Sequence, residues 1–482
     1  MARAIQNRFR RTTMKRPRSV SAERPAMKVT TMAARIARPY GSWKSPLTSE
    51  VVTKSGIRLG GLAFGRDERT FWVEGRPSEG GRNLIVRDDG LELTPKEMNV
   101  RTRVHEYGGG AWKILPSRNL VLFCDFKSQR MYSQDLDGSL PQPLTPDIEG
   151  AKLRFADFEY DERRNRVICV IEDHRGEGKE PVNSLAAVDL DGACAEPVPL
   201  VQGADFYAGP ALNASCDKLA FVCWNHPSMP WDRTCIMMVD LDAKNGLPTS
   251  QPTLVAGGPG MDQAPQQPQW TPDGRLVYIS DEESGWWNLF TRDFEKSATA
   301  SLCPKEGCEF GGPPWALGMS SYKVRRPSDQ RKRAMPRLSE IQLTLSLPSL
   351  SLSLSLSVAL ALSLSCSQNQ NQILSDDKIL CSYSDVTASG KTLAYLTPST
   401  SALIKVDLPY QSFGSVDIRP DGRLGVLGGS TSKYSEIAVQ TEDLSEWKAL
   451  KSASTLTVDP GYLSEPQVIK YPSKAGRFAY MY

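Results

Sequence analysis

The stretch Pro268–Phe294, PQWTPDGRLVYISDEESGWWNLFTRDF, decides how the rest of the chain is read. A turn at Pro272-Asp273-Gly274 runs into Leu276-Val277-Tyr278-Ile279, and a second turn at Glu283-Ser284-Gly285 runs into Trp287-Asn288-Leu289-Phe290. Proline and glycine supply the backbone angles a tight turn requires, and short β-prone runs follow each turn. That is the signature of antiparallel hairpins.

The same layout returns along the chain. Ser415–Asp443 repeats the Pro-Asp-Gly-Arg turn, and Gly209–Asp242 carries Asp217-Lys218 at that place. Ala156–His174, Gly108–Gly138 and Leu59–Gly90 follow the layout more loosely. The interval is about 45–55 residues, the length of a four-stranded propeller blade. One such sheet cannot bury both faces alone, whereas a closed ring of them can. Residues 51–455 hold about seven units, and a helical period of 3.6 is scarce. The expected fold is therefore all-β, a β-propeller of about seven blades over about Leu59–Thr455.

The net charge of +3 conceals an uneven distribution. The first 40 residues hold eleven Lys or Arg and a single acid, Glu23; the remainder holds 47 basic and 54 acidic residues. That mildly acidic body gives no nucleic-acid surface. The Arg-rich, acid-poor head reads as a transit peptide for chloroplast or mitochondrion. The alternative is an upstream extension of a cytoplasmic protein that starts at Met27 or Met32, and a third reading is a basic arm for nucleic acid. The ten cysteines are scattered, with Cys303 and Cys308 a lone C-x4-C, and the three histidines (His105, His174, His226) lie far apart in sequence. No metal site is expected from that spacing, and buried thiols in a reducing compartment are.

Val324–Gln372 interrupts the sixth unit with a basic run and the tract LPSLSLSLSLSVALALSLS, residues 347–365. Serine at every second position from Leu350 to Ser357 is too polar for a membrane span, and no membrane association is expected. A CT dinucleotide repeat translates as alternating Leu and Ser, so a translated intron fits the tract. A low-complexity loop on a blade edge is the rival. Removing the segment rejoins GMSSYK to ILSDDKILCSY and restores an ordinary blade. The sequence of the transcript separates the two readings.

The most specific segment is Asn99–Trp112, NVRTRVHEYGGGAW. Together with Tyr40–Val52, YGSWKSPLTSEVV, and Glu309–Tyr322, EFGGPPWALGMSSY, it resembles the propeller of the prolyl oligopeptidase family of serine peptidases, in its acylaminoacyl-peptidase and dipeptidyl-aminopeptidase-like branch. The resemblance covers Tyr40–Lys323 and Ile373–Tyr482. It implies an N-terminal propeller that restricts access to a C-terminal α/β-hydrolase domain with a Ser-Asp-His triad, and it implies no cofactor. No G-x-S-x-G occurs in the 482 residues; GGSTS (Gly428–Ser432) and GMSSY (Gly318–Tyr322) come nearest.

The expected organisation is a basic segment 1–40, a lead-in 41–58, blades 59–323, the insertion 324–372, the last blades 373–458 and the start of a truncated hydrolase domain 459–482. No catalytic residue is assigned, and the chain alone is expected to be inactive. Arg101, Arg103, His105 and Glu106 are the candidate substrate-binding residues. At a propeller mouth Glu106 would take a peptide's α-ammonium group, and Arg101 or Arg103 a carbonyl or carboxylate. The competing reading has His105 and Glu106 bonded to neighbouring blades. Thr387–Thr392, TASGKT, lacks the first glycine of a phosphate loop and sits in a hairpin frame. Trp286, Trp287 and Trp315 read as packing between blades. The expected partners are peptides or acyl-peptides; a non-enzymatic peptide- or protein-binding scaffold is the alternative, and nothing in the sequence fixes the oligomeric state.

Overall fold

The computed structural model describes residues 38–481 except 40, 43, 47, 55, 179, 193, 325–377, 389, 464–466 and 475–477. The basic head, nearly all of the insertion and parts of the tail lie outside the described residues. Up to Pro46 the chain forms a unit of its own, with a turn closed by Ser42 N donating to Pro39 O (3.1 Å). Beyond it stand a short helix, Ser49–Lys54, and a seven-bladed propeller.

Each blade is one antiparallel sheet whose strands follow in chain order from the axis outward, here a to d; blade 1 has three strands, with a single bridge from Glu92 to Val86 in the d position. Their a strands are Arg58–Phe64, Trp112–Leu115, Leu153–Asp161, Phe206–Leu212, Gln266–Trp270, a split pair in blade 6, and Ser412–Ile418. Consecutive a strands adjoin around the axis. The turn read first from sequence closes as expected. Thr271 N donates to Arg275 O (2.9 Å), Gly274 N to Thr271 O (3.0 Å), and Gly274 takes φ +84°. Arg419–Arg423 repeats it, with Gly422 at φ +92°.

The apolar residues form seven buried clusters, and each lies between two blades. Val277, Ile279 and Leu289 of blade 5 meet Tyr322, Ile379 and Cys381 of blade 6. Leu62, Trp72, Leu84 and Val86 of blade 1 meet Ile437 of blade 7. That last seam closes the ring by side-chain packing rather than by a shared strand. Ile57 N donates to Ala453 O (2.9 Å), and Lys451 Nζ lies 3.2 Å from the buried Glu74 carboxylate. Burial of this kind is the main favourable term that holds such a ring.

In blade 6 the a strand is divided into Cys308–Glu309 and Tyr322–Val324, both paired with Ile379–Asp385. Val324, assigned from sequence to the insertion, is the last residue of a strand and sits opposite Ile379. The described chain thus leaves and resumes at adjoining positions, where the other blades have a tight a–b turn. Among the described residues no helix is long and apolar enough to cross a membrane.

If the blade 7–blade 1 seam carries ring closure, Ile437→Ala should lower unfolding stability by about 2–5 kcal/mol. Ile404→Ala, at a half-exposed position on blade 6, should change it by less than about 0.5 kcal/mol. Urea denaturation followed by tryptophan fluorescence checks both.

Candidate peptide-binding face

The d–a and b–c connections of every blade lie on one face of the ring, because successive antiparallel strands alternate in direction. The propeller begins and ends on that same face, at Ile57 and Ala453. All four candidate residues stand there, in the long connection between blades 1 and 2.

Asn99–Gly110 crosses the end of blade 2 to reach the seam of blades 3 and 4. Val100 bridges Asp125, Arg101 N donates to Cys124 O (3.0 Å) and Arg103 N to Gln129 Oε1 (2.8 Å). Val104 is fully buried in the blade 3–blade 4 core. A turn follows, with Glu106 N donating to Arg103 O (2.9 Å) and Gly108 N to Val104 O (3.0 Å). His105 and Glu106 hold φ of 53° and 63° in that turn, a strained backbone for residues with side chains.

Neighbouring blades hold the strain in place. Glu172 of blade 3, buried, accepts from His105 N (2.6 Å) and from Arg154 Nη1 (2.7 Å). The His174 ring lies 2.5 Å from the same carboxylate. Arg154 also reaches Arg103 O and Glu106 Oε1, each at 3.2 Å. The Glu106 side chain is otherwise exposed to solvent. Arg101 and Arg103 both place their guanidinium groups over the Phe126 ring, 4.7 and 5.5 Å from its centre.

The His105 ring stands edge-on to Phe206 (5.1 Å) and Trp224 (5.6 Å), and Phe206 in turn meets His226 (4.9 Å). The three histidines, distant in sequence, converge on this face. His226 Nδ1 lies 3.1 Å from Asp205. Burial pushes the His105 ring down to about 4, so it is neutral at pH 7.

Tyr107 is 63% exposed and lies 5.5 Å from Trp315, itself 51% exposed; Trp231 of blade 4 packs 4.3 Å from Trp315. Trp315 therefore packs against blade 4 at the surface rather than inside a seam between adjacent blades. It is carried by residues 310–321, the loop that divides the a strand of blade 6. That loop crosses the axis to the opposite blades. Leu317 N donates to Gly108 O (2.9 Å), Leu317 forms a parallel bridge with Gly109, and its side chain enters the blade 3–blade 4 core. A β-carbon at Gly109 would lie 2.6 Å from Leu317 N, and one at Gly318 would lie 2.8 Å from Gly110 Cα. Asp157 joins the same junction. Its N donates to Gly110 O (2.9 Å), its carboxylate accepts from Gly209 N (2.7 Å), and burial raises its carboxyl.

Of the Thr387–Thr392 segment, Thr387 and Ala388 lie in the b–c turn of blade 6 and Lys391-Thr392 begins its c strand. Its Lys391 N is already engaged by Gln411 O (3.0 Å). Glu172, Arg154, Phe206, His226 and Trp231 were not legible as site residues, since no spacing in the sequence links them to Asn99–Trp112.

The seven-bladed ring, with its chain ends and a polar-aromatic cluster on one face, has the fold of the propellers of puromycin hydrolase and prolyl oligopeptidases. No family model and no curated protein matches it. Among solved structures it is similar to a puromycin-hydrolyzing peptidase of Mycobacterium tuberculosis, with 27% identity and a TM-score of 0.73 over 92% of this chain and 61% of that one. Puromycin hydrolase is similar at 27% identity and a TM-score of 0.71, over 92% and 60%. Prolyl oligopeptidase B of Galerina marginata shares the fold at 8% identity and a TM-score of 0.57, over 88% and 55%. The chain spans about three fifths of the first two.

The His105 environment has a pH consequence. The unfolded ring takes up a proton below about 6.5, the folded one only near 4. Stability should therefore fall as pH drops through that window, where the unfolded chain binds more protons. With three histidines in the chain, the ring signals can be followed by NMR. The His105 signal should keep its neutral position until about pH 4; titration near 6.5 would contradict the burial described.

Proposed function

We propose that this chain acts as the substrate-receiving propeller of a serine peptidase of the family, holding the end of a peptide or acyl-peptide on the face that carries Glu106 and Tyr107. The observation that carries the reading is the strained His105–Glu106 turn. Three blades hold it, yet it presents an exposed carboxylate beside an aromatic trio. Strain of this kind persists where a geometry is being held for use. The Glu106 carboxylate accepts charge-assisted bonds from an α-ammonium group. Tyr107, Trp231 and Trp315 offer flat apolar surface to a side chain. Arg101 and Arg103, steadied on Phe126, meet a carbonyl or a carboxylate. With residues 310–321 across the axis, the peptide reaches this face from its rim.

These residues bind and orient; they do not cleave. Acyl transfer requires a nucleophile beside a positioned base. The rings of His174 and His226 face carboxylates, and that of His105 stands among Phe206 and Trp224. A catalytic unit of the family would supply the triad on the face where the propeller begins and ends. The names of two similar structures make puromycin, an aminoacyl amide with a free amino group, the first ligand to try.

Calorimetric titration with puromycin and its N-acetyl derivative tests the reading. Glu106→Gln should weaken puromycin binding about tenfold, acetylation should do the same, and the two losses should not add, since they remove one charge-assisted bond. The chain should show no serine labelling by a fluorophosphonate. Equal affinity for both ligands, or stoichiometric serine labelling, would overturn it.

A further inference from the structure

Blade 4 holds a feature that peptide binding does not use. Its b and c strands, Lys218–Trp224 and Cys235–Asp240, pair with Cys223 directly opposite Cys235. Residues opposed in this way in antiparallel strands have Cα atoms about 4.5 or 5.5 Å apart. Both spacings fall in the range of about 4.4–6.8 Å that a disulfide spans. The two side chains point to the same side of the sheet, the side on which Cys223 and Met237 pack against the blade 3–blade 4 core. Both cysteines are partly exposed, as is Cys194, which stands by Arg130 and Pro143 O, whereas Cys124, Cys169, Cys216, Cys303, Cys308 and Cys381 are buried.

We propose that Cys223 and Cys235 form a redox-active pair that closes to a cross-strand disulfide under mild oxidation. Cys223 packs against the blade 3–blade 4 core, whereas Cys235 does not, and the proximity of the two thiols favours the thiolate at Cys235. Cys235, the thiol not packed on that core, is the attacking thiolate and Cys223 the resolving thiol. With glutathione disulfide as oxidant, the Cys235 sulfur attacks one glutathione sulfur and a glutathione thiolate leaves. Cys223 then loses its proton to solvent and attacks the Cys235 sulfur, and the second glutathione thiolate leaves. Two electrons pass from the pair to the glutathione disulfide, and two glutathione molecules result. The new bond staples the hairpin that carries His226 and Trp231.

The test uses the full chain, unmodified. Native protein is incubated with glutathione disulfide, free thiols are alkylated, and mass spectrometry follows the product. The expected product has two fewer alkylatable thiols, no retained glutathione and a crosslinked peptide joining Cys223 to Cys235 that reduction releases. Cys223→Ser should instead retain glutathione on Cys235. Should that variant fail to fold, the unmodified chain decides alone. A stable glutathione adduct on Cys235 without the crosslink would overturn the proposal, as would earlier bridging between other cysteines or both thiols remaining alkylatable.

Discussion

Two stretches of backbone meet near the axis with no room for a side chain between them. Gly108–Gly110 comes from the connection between blades 1 and 2, and Leu317–Gly318 from a loop of blade 6. A β-carbon at Gly110 would lie 2.9 Å from Asp157 Cα, and one at Gly318 would lie 2.8 Å from Gly110 Cα. The left-handed angles of 57° at Gly110 and 73° at Gly318 would be strained for any other residue. This junction ties blade 6 to blades 3 and 4 across the ring. It therefore does what the seams cannot, since each seam joins only neighbours. The position of Trp315 depends on it, as does the turn that holds Glu106.

Much of the ring was legible in local sequence. Pro-Asp-Gly turns fix two of the hairpins by backbone preference alone, and the recurrence of the hairpin layout at about 45–55 residues gives the blade count. The closure was not legible, because Trp72 and Ile437 meet only after the chain has travelled the whole circle. Nor were the bulges of the inner strands. Asp157 and Gln267 take φ of 58° where other blades carry glycine. Their side chains compensate by bonding the next blade, Asp157 to Gly209 N (2.7 Å) and Gln267 to Ser321 N (2.7 Å). No propensity scale anticipates a left-handed Gln, since the stabilising contact is long-range.

The site was half legible for a related reason. Asn99–Trp112 is contiguous, so Arg101, Arg103, His105 and Glu106 could be named together. What fixes their conformation comes from three other blades: Glu172 and Arg154, Phe206 and Trp224, Leu317. Tryptophan 315 shows the limit most clearly. From sequence it sits in a Pro-Pro-Trp run that reads as packing, and only the course of its loop over the axis places it at the surface beside Tyr107.

The blade 6 loop is locked to the Gly108–Gly110 segment across the axis. Hydrogen exchange at the Leu317 amide tests it most directly, because that amide donates to Gly108 O inside the junction (2.9 Å). Protection comparable to that of the inner-strand amides of blades 3 and 4 is expected, although Leu317 lies in a loop. Exchange at the rate of an open surface loop would mean that the two segments are not joined, and that the face is not built as described.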